Sequence, residues 1–280
     1  MELSSLRFFD AVATFGSISS AAHKLNTVQS NVTARIKKLE QEVGYPLFKR
    51  KSRGMELTPE GLALIPYAKR MMGFERQALD AVQDVGSAGG ILSIGSMETT
   101  AAIHLPNWLR EFHKLYPRVE LSVQTGTTDH MIKQVLDCAV DVALVGGLID
   151  DPDLLSFPVI EEELVLVSSL DEKPANVVLV FRGGCNYRAR TLLWQRLNGK
   201  PNAKLMEYGS HDGILGCVRA GLGVTLLPRS LMEQPFYKGH YQLNSISSDI
   251  AKVTTSLIHR KDVPVSPTLN KLKNIILPPT

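Results

Sequence analysis

At 280 residues, with 44% apolar and 21% charged side chains, the chain has room for two or three domains with their own cores and the balance of an ordinary folded protein. No stretch approaches the uninterrupted apolar length that crosses a bilayer, and the opening MELSSLRFF lacks a basic region followed by an apolar core, so a membrane partner is excluded and the expected location is the cytoplasm. The net charge is only +3, yet residues 1–90 hold 12 Lys or Arg against 9 Asp or Glu while residues 91–280 hold 19 of each, which points to a polyanion bound at the N-terminal end. Three scattered cysteines, Cys138, Cys185 and Cys217, suit a reducing compartment and match no metal-ligand spacing.

The first expected element is a helix over Leu3 to Phe15, with Leu6, Phe9 and Ala13 along one line and Phe8, Val12 and Phe15 along another. Ser17 is a plausible N-cap for a second helix, in which Ile18, Ala21, Ala22 and Leu25 make one apolar stripe. Asn26 breaks that pattern and Thr27 can cap again. Val28, Val32, Ile36, Leu39 and Val43 then form the stripe of a third helix, leaving Ser30, Ala34, Lys37 and Gln41 on an opposite face that carries no acid. Small amides and hydroxyls at its start, Gln29, Ser30, Asn31 and Thr33, can reach base edges while the stripe fixes the angle of entry, as in a helix-turn-helix reader. Periodicity alone leaves a helical hairpin in some unrelated core equally open.

The stretch after Val43 decides between them. Gly44 ends the helix, Leu47 and Phe48 read as buried, and Lys49, Arg50, Lys51 and Arg53 precede a turn at Gly54 and a returning strand, MELT. A basic hairpin after three helices makes a winged helix-turn-helix, whose cations meet phosphates or the minor groove. Thr58, Pro59 and Glu60 start a long helix reaching about Val85, with Leu62, Ile65, Met72, Leu79 and Val82 as apolar surface and Pro66 expected to kink it. Such a helix is expected to pair two copies, and GSAGG, residues 86–90, is the joint that ends it.

Beyond the joint the period shortens. ILSIG, VELSVQ, DVALVG, ELVLVSS, VVLVF and VTLLP read as strands alternating with helices, among them Ala102 to Tyr116. Alternation predicts mainly parallel sheets with helices on both faces. ILSIGSMETT echoes VVLVFRGGCNYR, and VLDCAVDVALVG echoes CVRAGLGVTLLP, which predicts two similar α/β lobes with a cleft between them. Turns from strand to helix facing that cleft would present N–H groups to an anion.

FFDAVATFGSISSAAHKLNTVQSNVTARIKKLEQEVGYPLFKR, LTPEGLALIPYA and, more loosely, EYGSHDGILGCVRAGLGVTLLPRS resemble the LysR-type transcriptional regulators, over essentially the whole chain. The resemblance implies an α/β architecture of three parts: a winged helix-turn-helix over 1–58, a dimerising linker helix and hinge over 59–89, and over 90–280 a two-lobed effector domain of the type 2 periplasmic-binding-protein kind. It also implies a homodimer, usually assembled to a homotetramer, that binds double-stranded promoter DNA and alters its bending when a small metabolite enters the cleft. RNA polymerase is a further candidate partner. Carried over by position, Gln29, Ser30, Asn31, Thr33 and Arg35 are the recognition-helix candidates, with Thr27 and Lys37 beside them and Arg50 and Arg53 in the wing. Many relatives have Arg at the position of Ala34 and a polar residue at Arg35, so no operator sequence can be borrowed from them.

In the cleft the candidates are Ser96, Thr99 and Thr100 after the first effector strand, Thr125 and Thr127 after the second, and Cys185, Asn186, Tyr187 and Arg188 from the other lobe. Arg188 is the first choice to pair an anionic effector and Arg182 the second. Each hydroxyl could equally be an N-cap, and Arg188 a surface ion pair. No cofactor is expected beyond that effector, a carboxylate or an amino-acid-like metabolite being the candidates. Two rivals are weaker. An enzyme using Cys185, or Ser210 with His211, lacks a G-x-S-x-G elbow, a Walker loop or a full dinucleotide fingerprint. A redox switch at Cys185 would need its pKa lowered by Arg182 and Arg188, and no resolving cysteine lies near in sequence. A transport receptor is disfavoured by the DNA-reading end and the absent leader.

Overall fold

The computed structural model describes residues 1–51, 54–83, 90–171, 176–198 and 202–277. They divide into two compact units, chiefly Met1–Val82 and chiefly Gln83–Leu136 with Val140–Thr280.

In the first unit α1 (Leu3–Phe15) ends on Gly16 in the left-handed region, and Ser17 caps α2 (Ile18–Lys24) by accepting the Ser20 N–H. The turn runs through Asn26, φ +50°, into α3 (Gln29–Val43), closed by left-handed Gly44. Leu6, Phe9, Val12, Ala21, Ala22, Val32, Ile36 and Leu39 are the buried core, the stripes that the spacing predicts. Val28 departs from its stripe. It occupies the N-cap position of α3 and is 65% exposed, and Thr27 caps nothing.

The wing is an antiparallel pair, β1 (Phe48–Lys51) and β2 (Gly54–Leu57), with Lys49 opposite Glu56 and Arg50 opposite Met55. Glu40 of α3 accepts the Leu47 and Phe48 N–H groups at 2.8 and 3.3 Å, and the Met55 N–H donates to Gly16 O at 2.8 Å, so both ends of the hairpin are tied to the helices. Gly54, φ +125°, is obligatory there, because a Cβ would stand 2.3 Å from Gly16 O. Thr58 caps α4 (Pro59–Gln83), accepting the Gly61 N–H and donating to Pro46 O. Helical geometry continues through Pro66. Ile65 and Met72 turn into the core, whereas Leu62, Leu79 and Val82 are exposed.

The second unit has two lobes. In the first, β3 (Ile91–Ser96) lies parallel between β4 (Glu120–Thr125) and β5 (Val142–Gly146). The helix expected over Ala102 to Tyr116 is two: α5 (Glu98–Ile103) and α6 (Leu105–Leu115), which breaks at His104 ahead of Pro106. With α7 (Thr128–Leu136) on the other face, β5 is buried on both sides. Its Val142 and Leu144 join the cluster of Phe112 and Leu272, and its Ala143 and Val145 that of Met131 and Val135.

The chain crosses once on β6 (Leu154–Ser168), whose last third is the run read from sequence. The second lobe holds β7 (Val177–Phe181), α8 (Asn186–Leu197), β8 (Lys204–Tyr208), α9 (His211–Arg219), β9 (Thr225–Pro228), α10 (Arg229–Met232), β10 (Gln242–Ser245) and α11 (Ser248–Ala251). It returns on β11 (Lys252–Arg260) and closes with α12 (Pro267–Ile276) in the first lobe. Because β11 pairs antiparallel with β5 and with β6, and β6 antiparallel with β9 and β10, the main sheet is mixed and not mainly parallel. The two crossing strands run against the βαβ grain, and only β7 with β8 repeats the parallel β3 with β4. No described helix is long and apolar enough to cross a membrane.

Candidate functional site

The surface that the sequence assigns to DNA is the N-terminal turn of α3, and it is exposed. Val28, Gln29, Ser30 and Asn31 are exposed there, followed by Ala34 and Lys37. The Gln29 amide donates to Ser19 Oγ at 3.3 Å and the Asn31 amide to Thr27 Oγ1 at 3.0 Å. Each amide has two N–H groups, so each keeps a donor and its carbonyl oxygen, the pair that reads adenine bidentately. Thr33 spends its hydroxyl on Gln29 O. Arg35 does not join this turn. It lies 2.9 Å from Glu2, which also holds Lys38 and whose carboxyl those cations, Lys38 first, keep below the usual range. In the wing Lys49 and Lys51 both pair with Glu56, leaving Arg50 without a protein partner among the described residues. Arg53 lies outside the described residues. Sequence reading missed Val28, an exposed apolar group next to Gln29, because it counted as stripe.

In the second unit a cavity of about 670 Å³ opens at the carboxyl ends of β3, β4, β7 and β8. Both lobes reverse strand order there, β3 having β4 and β5 on opposite sides and β7 having β8 and the Val224 bridge, so the turns splay apart and leave a crevice. Thr99, Thr125, Thr127, Cys185 and Tyr187 line it as expected, with Glu98, His130, Phe181 and Arg182 also in the wall. On one flank the Asp129 N–H donates to Gly184 O across the lobes at 3.2 Å; Gly184 has φ +80°, and a Cβ there would stand 2.8 Å from the Asp129 carboxylate.

Four expected residues are not in the lining. Ser96 is wholly buried and donates to Met97 O. Thr100 is buried, and its neighbour Thr99 takes the place in the lining. Asn186 packs on Gly146, where a Cβ would come within 2.7 Å of it. Arg188 donates to Phe181 O at 2.6 Å and pairs with Glu207 of β8, the surface ion pair that was its alternative. Cys185 does line the cavity, and burial pushes its thiol up, outweighing the hydrogen bonds from the Arg188 and Tyr187 backbone, the direction opposite to the one an activated thiolate needs. Ser210 is the N-cap of α9 and accepts the Gly213 N–H.

Beneath the cavity lies a buried polar knot that sequence reading missed. Glu162 sits where β6 crosses between lobes, opposite Val253. Its Oε1 accepts from His104 Nε2 at 3.0 Å and Ser230 Oγ at 2.8 Å, and its Oε2 from Tyr187 OH at 2.8 Å. Burial would raise this carboxyl, but those three donors outweigh it and hold it below the ordinary range. Burial and the Glu162 charge push the Tyr187 phenol well up, so it stays a donor, itself accepting from Thr99 Oγ1 at 3.3 Å. His104 and Thr99 belong to one lobe, Tyr187 and Ser230 to the other.

Comparison with known proteins fits this geometry. Residues 3–62 match the family described as bacterial regulatory helix-turn-helix protein, lysR family, and residues 86–278 match the LysR substrate binding domain. The chain belongs to the LysR family. The regulator is 41% identical over 276 residues, 97% of this chain and 95% of the other, to the HTH-type transcriptional regulator SoxR of Arthrobacter sp. (strain TE1826). It is 40% identical, over 96% of this chain and 94% of the other, to the HTH-type transcriptional regulator GltR of Bacillus subtilis (strain 168). Its fold resembles that of full-length CbnR complexed with its target DNA, at a TM-score of 0.70, 22% identity and 99% coverage of both chains. It also resembles full-length OxyR from Pseudomonas aeruginosa, at 0.69 and 21%, covering 99% of this chain and 94% of that one. The regulator is thus a DNA-binding transcription factor of the LysR type, with a substrate-binding domain for a small-molecule effector.

One contact ties the cavity wall to α9. His211 Nδ1 lies 3.0 Å from Glu98 Oε1, and its Nε2 lies 3.7 Å from Asp212, which in turn accepts from Tyr237 OH. Glu98 raises the His211 pKa above the ordinary 6.5, more than burial lowers it. Stability from this pair is therefore full below pH 6.5 and lost as pH rises through the raised value. Going from about pH 8 to about pH 6 is expected to raise the melting temperature of the second unit by roughly 1–3 °C more in the native chain than in Glu98→Gln. Identical pH profiles for the two in calorimetry would show that the pair carries no such coupling.

Proposed function

We propose that the regulator grips a promoter through the start of α3 and the wing, as a homodimer assembled further to a homotetramer, and that a small molecule held between the two lobes alters that grip. In this reading residues 1–58 are the reader, 59–89 the dimerising linker and hinge, and 90–280 the effector domain, working in the cytoplasm. The observation that carries it is the exposed, acid-free turn of Val28, Gln29, Ser30 and Asn31, whose amides keep bidentate capacity, together with a wing whose Arg50 has no protein partner among the described residues. Pairing through α4 is supported by Tyr67, Met71, Phe74 and Val82, exposed at helical spacing along one face.

Gln29→Ala is expected to reduce preference among sequences, costing about 1–3 kcal/mol at one base position. Arg50→Ala is expected to weaken all duplexes alike and lower the salt slope by about 1. Titrations of the chain's own upstream region and of random duplex at several salt concentrations separate these effects. Equal losses on both duplexes in both variants would remove Gln29 from base readout. No preference for the upstream region at any salt would remove the promoter reading itself.

A further inference from the structure

We propose that the cavity takes an organic monocarboxylate anchored on Arg182 and rejects α-amino acids of the same skeleton. This rests on the cavity being the effector site, and it replaces Arg188, which Glu207 occupies, as the anchor. At about 670 Å³ the cavity is within the range of small-molecule sites, roughly 300–1,000 Å³.

The charge count along its wall is asymmetric. Arg182 has no carboxylate within ion-pair distance among the described residues. Its guanidinium lies over Gly209, another lining residue, where a Cβ would stand 2.9 Å from Nη2. The one acid in the lining, Glu98, already faces His211 at 3.0 Å. One positive charge is left without a partner, and a planar, two-oxygen anion is what a guanidinium matches best.

The hydroxyls fit the same ligand. Thr127 Oγ1 accepts the His130 N–H at 3.4 Å, so its O–H remains to donate, and the Thr125 side chain has no protein hydrogen bond among the described residues. Thr99 is spent on Tyr187. Met97, Phe181 and the Tyr187 ring offer apolar surface to the ligand's body. An ammonium group, by contrast, finds the one acid in the lining already facing His211 and would leave either His211 or itself unpaired in the cavity.

The test uses the full-length chain and named probes: propionate through octanoate and phenylacetate, with the amide, the amine and the α-amino acid of each skeleton. Melting temperature and calorimetric affinity are read at up to about 10 mM, where a ligand specific for the folded cavity raises stability. At least one carboxylate is expected to bind while its amide, amine and α-amino acid do not, and Arg182→Gln is expected to weaken that carboxylate at least about tenfold. Because Arg182 is exposed, loss of folding is not the expected cause, and an unchanged melting curve of the ligand-free variant checks it.

Stabilisation confined to amines, neutral compounds or amino acids would overturn the proposal. So would carboxylate affinity that Arg182→Gln leaves intact, or the absence of any carboxylate binding. Gel shifts of the upstream region with the same probes keep the two readings apart. A carboxylate bound through Arg182 that leaves the DNA complex unchanged upholds the ligand class and removes the effector role. An amine that alters the DNA complex does the reverse.

Discussion

Glu162→Ala is expected to cost the second unit about 3–5 kcal/mol and to lower its melting temperature by about 10 °C. The side chain is almost wholly buried and accepts three hydrogen bonds, from His104, Tyr187 and Ser230. Removing the acceptor leaves a phenol, a hydroxyl and an imidazole N–H without partners in a place water does not readily reach, and each orphaned donor costs about 1–3 kcal/mol. Glu162→Gln keeps one acceptor oxygen and should lose less than half as much. The effect is also positional. Glu162 sits on the strand that joins the lobes, and its donors come from both, so the carboxylate fixes the angle at which the cavity walls meet. Effector response in Glu162→Gln is therefore expected to fall further than its stability does. Denaturant melts paired with ligand titration separate the two, and an alanine variant as stable as the parent would show that the knot is not a structural keystone.

Much of the first unit was legible because its information is local. The Val32, Ile36, Leu39 stripe, the Ser17 cap and the basic run before Gly54 each lie within a turn or two of the residue they constrain. Val28 misled because periodicity extends a stripe past the point where the helix begins, and a residue at the N-cap no longer faces the core. The second unit was legible in its parallel pieces and not in its crossing strands. KVTTSLIHR carries Thr255 and Ser256 fully inside, their backbones paired in the sheet ladder, so no hydrophobic alternation marks β11. The sequence places Arg188 ahead of Arg182 because the deciding neighbour lies outside the local stretch. What distinguishes them is Glu207, on a strand 19 residues further on that pairs with β7, and sequence position after a Gly-Gly turn is silent about that neighbour. Glu162 stood in an acidic run, EEE, inside an otherwise apolar strand, and a carboxylate in that setting was a signal of buried pairing that alternation could have raised.

Phe9→Ala is expected to abolish DNA binding at physiological temperature while leaving the melting of the second unit untouched. The ring is completely buried and packs on Phe48 at 5.4 Å between centroids, joining α1 to the first strand of the wing. Truncating a core phenylalanine costs about 3–5 kcal/mol, the lost transfer energy plus the cavity left behind. A unit of this size has about 5–10 kcal/mol in total, and each kcal/mol is worth about 4–8 °C, so the expected fall in its melting temperature is about 15–30 °C. The contact matters beyond its energy. Phe48 is held by Phe9 on one side and by the Glu40 carboxylate on its N–H, so without the ring the hairpin carrying Arg50 loses its seat against the helices before the helices themselves come apart. Phe9→Leu, which refills part of the space, is expected to lose only about 1–2 kcal/mol and to recover most binding. Two separate calorimetric transitions, with only the lower one displaced in Phe9→Ala, are the expected record. A single transition displaced as a whole would show instead that the reader and the effector-binding unit melt together, and that the wing's seat cannot be weakened without loosening the cavity as well.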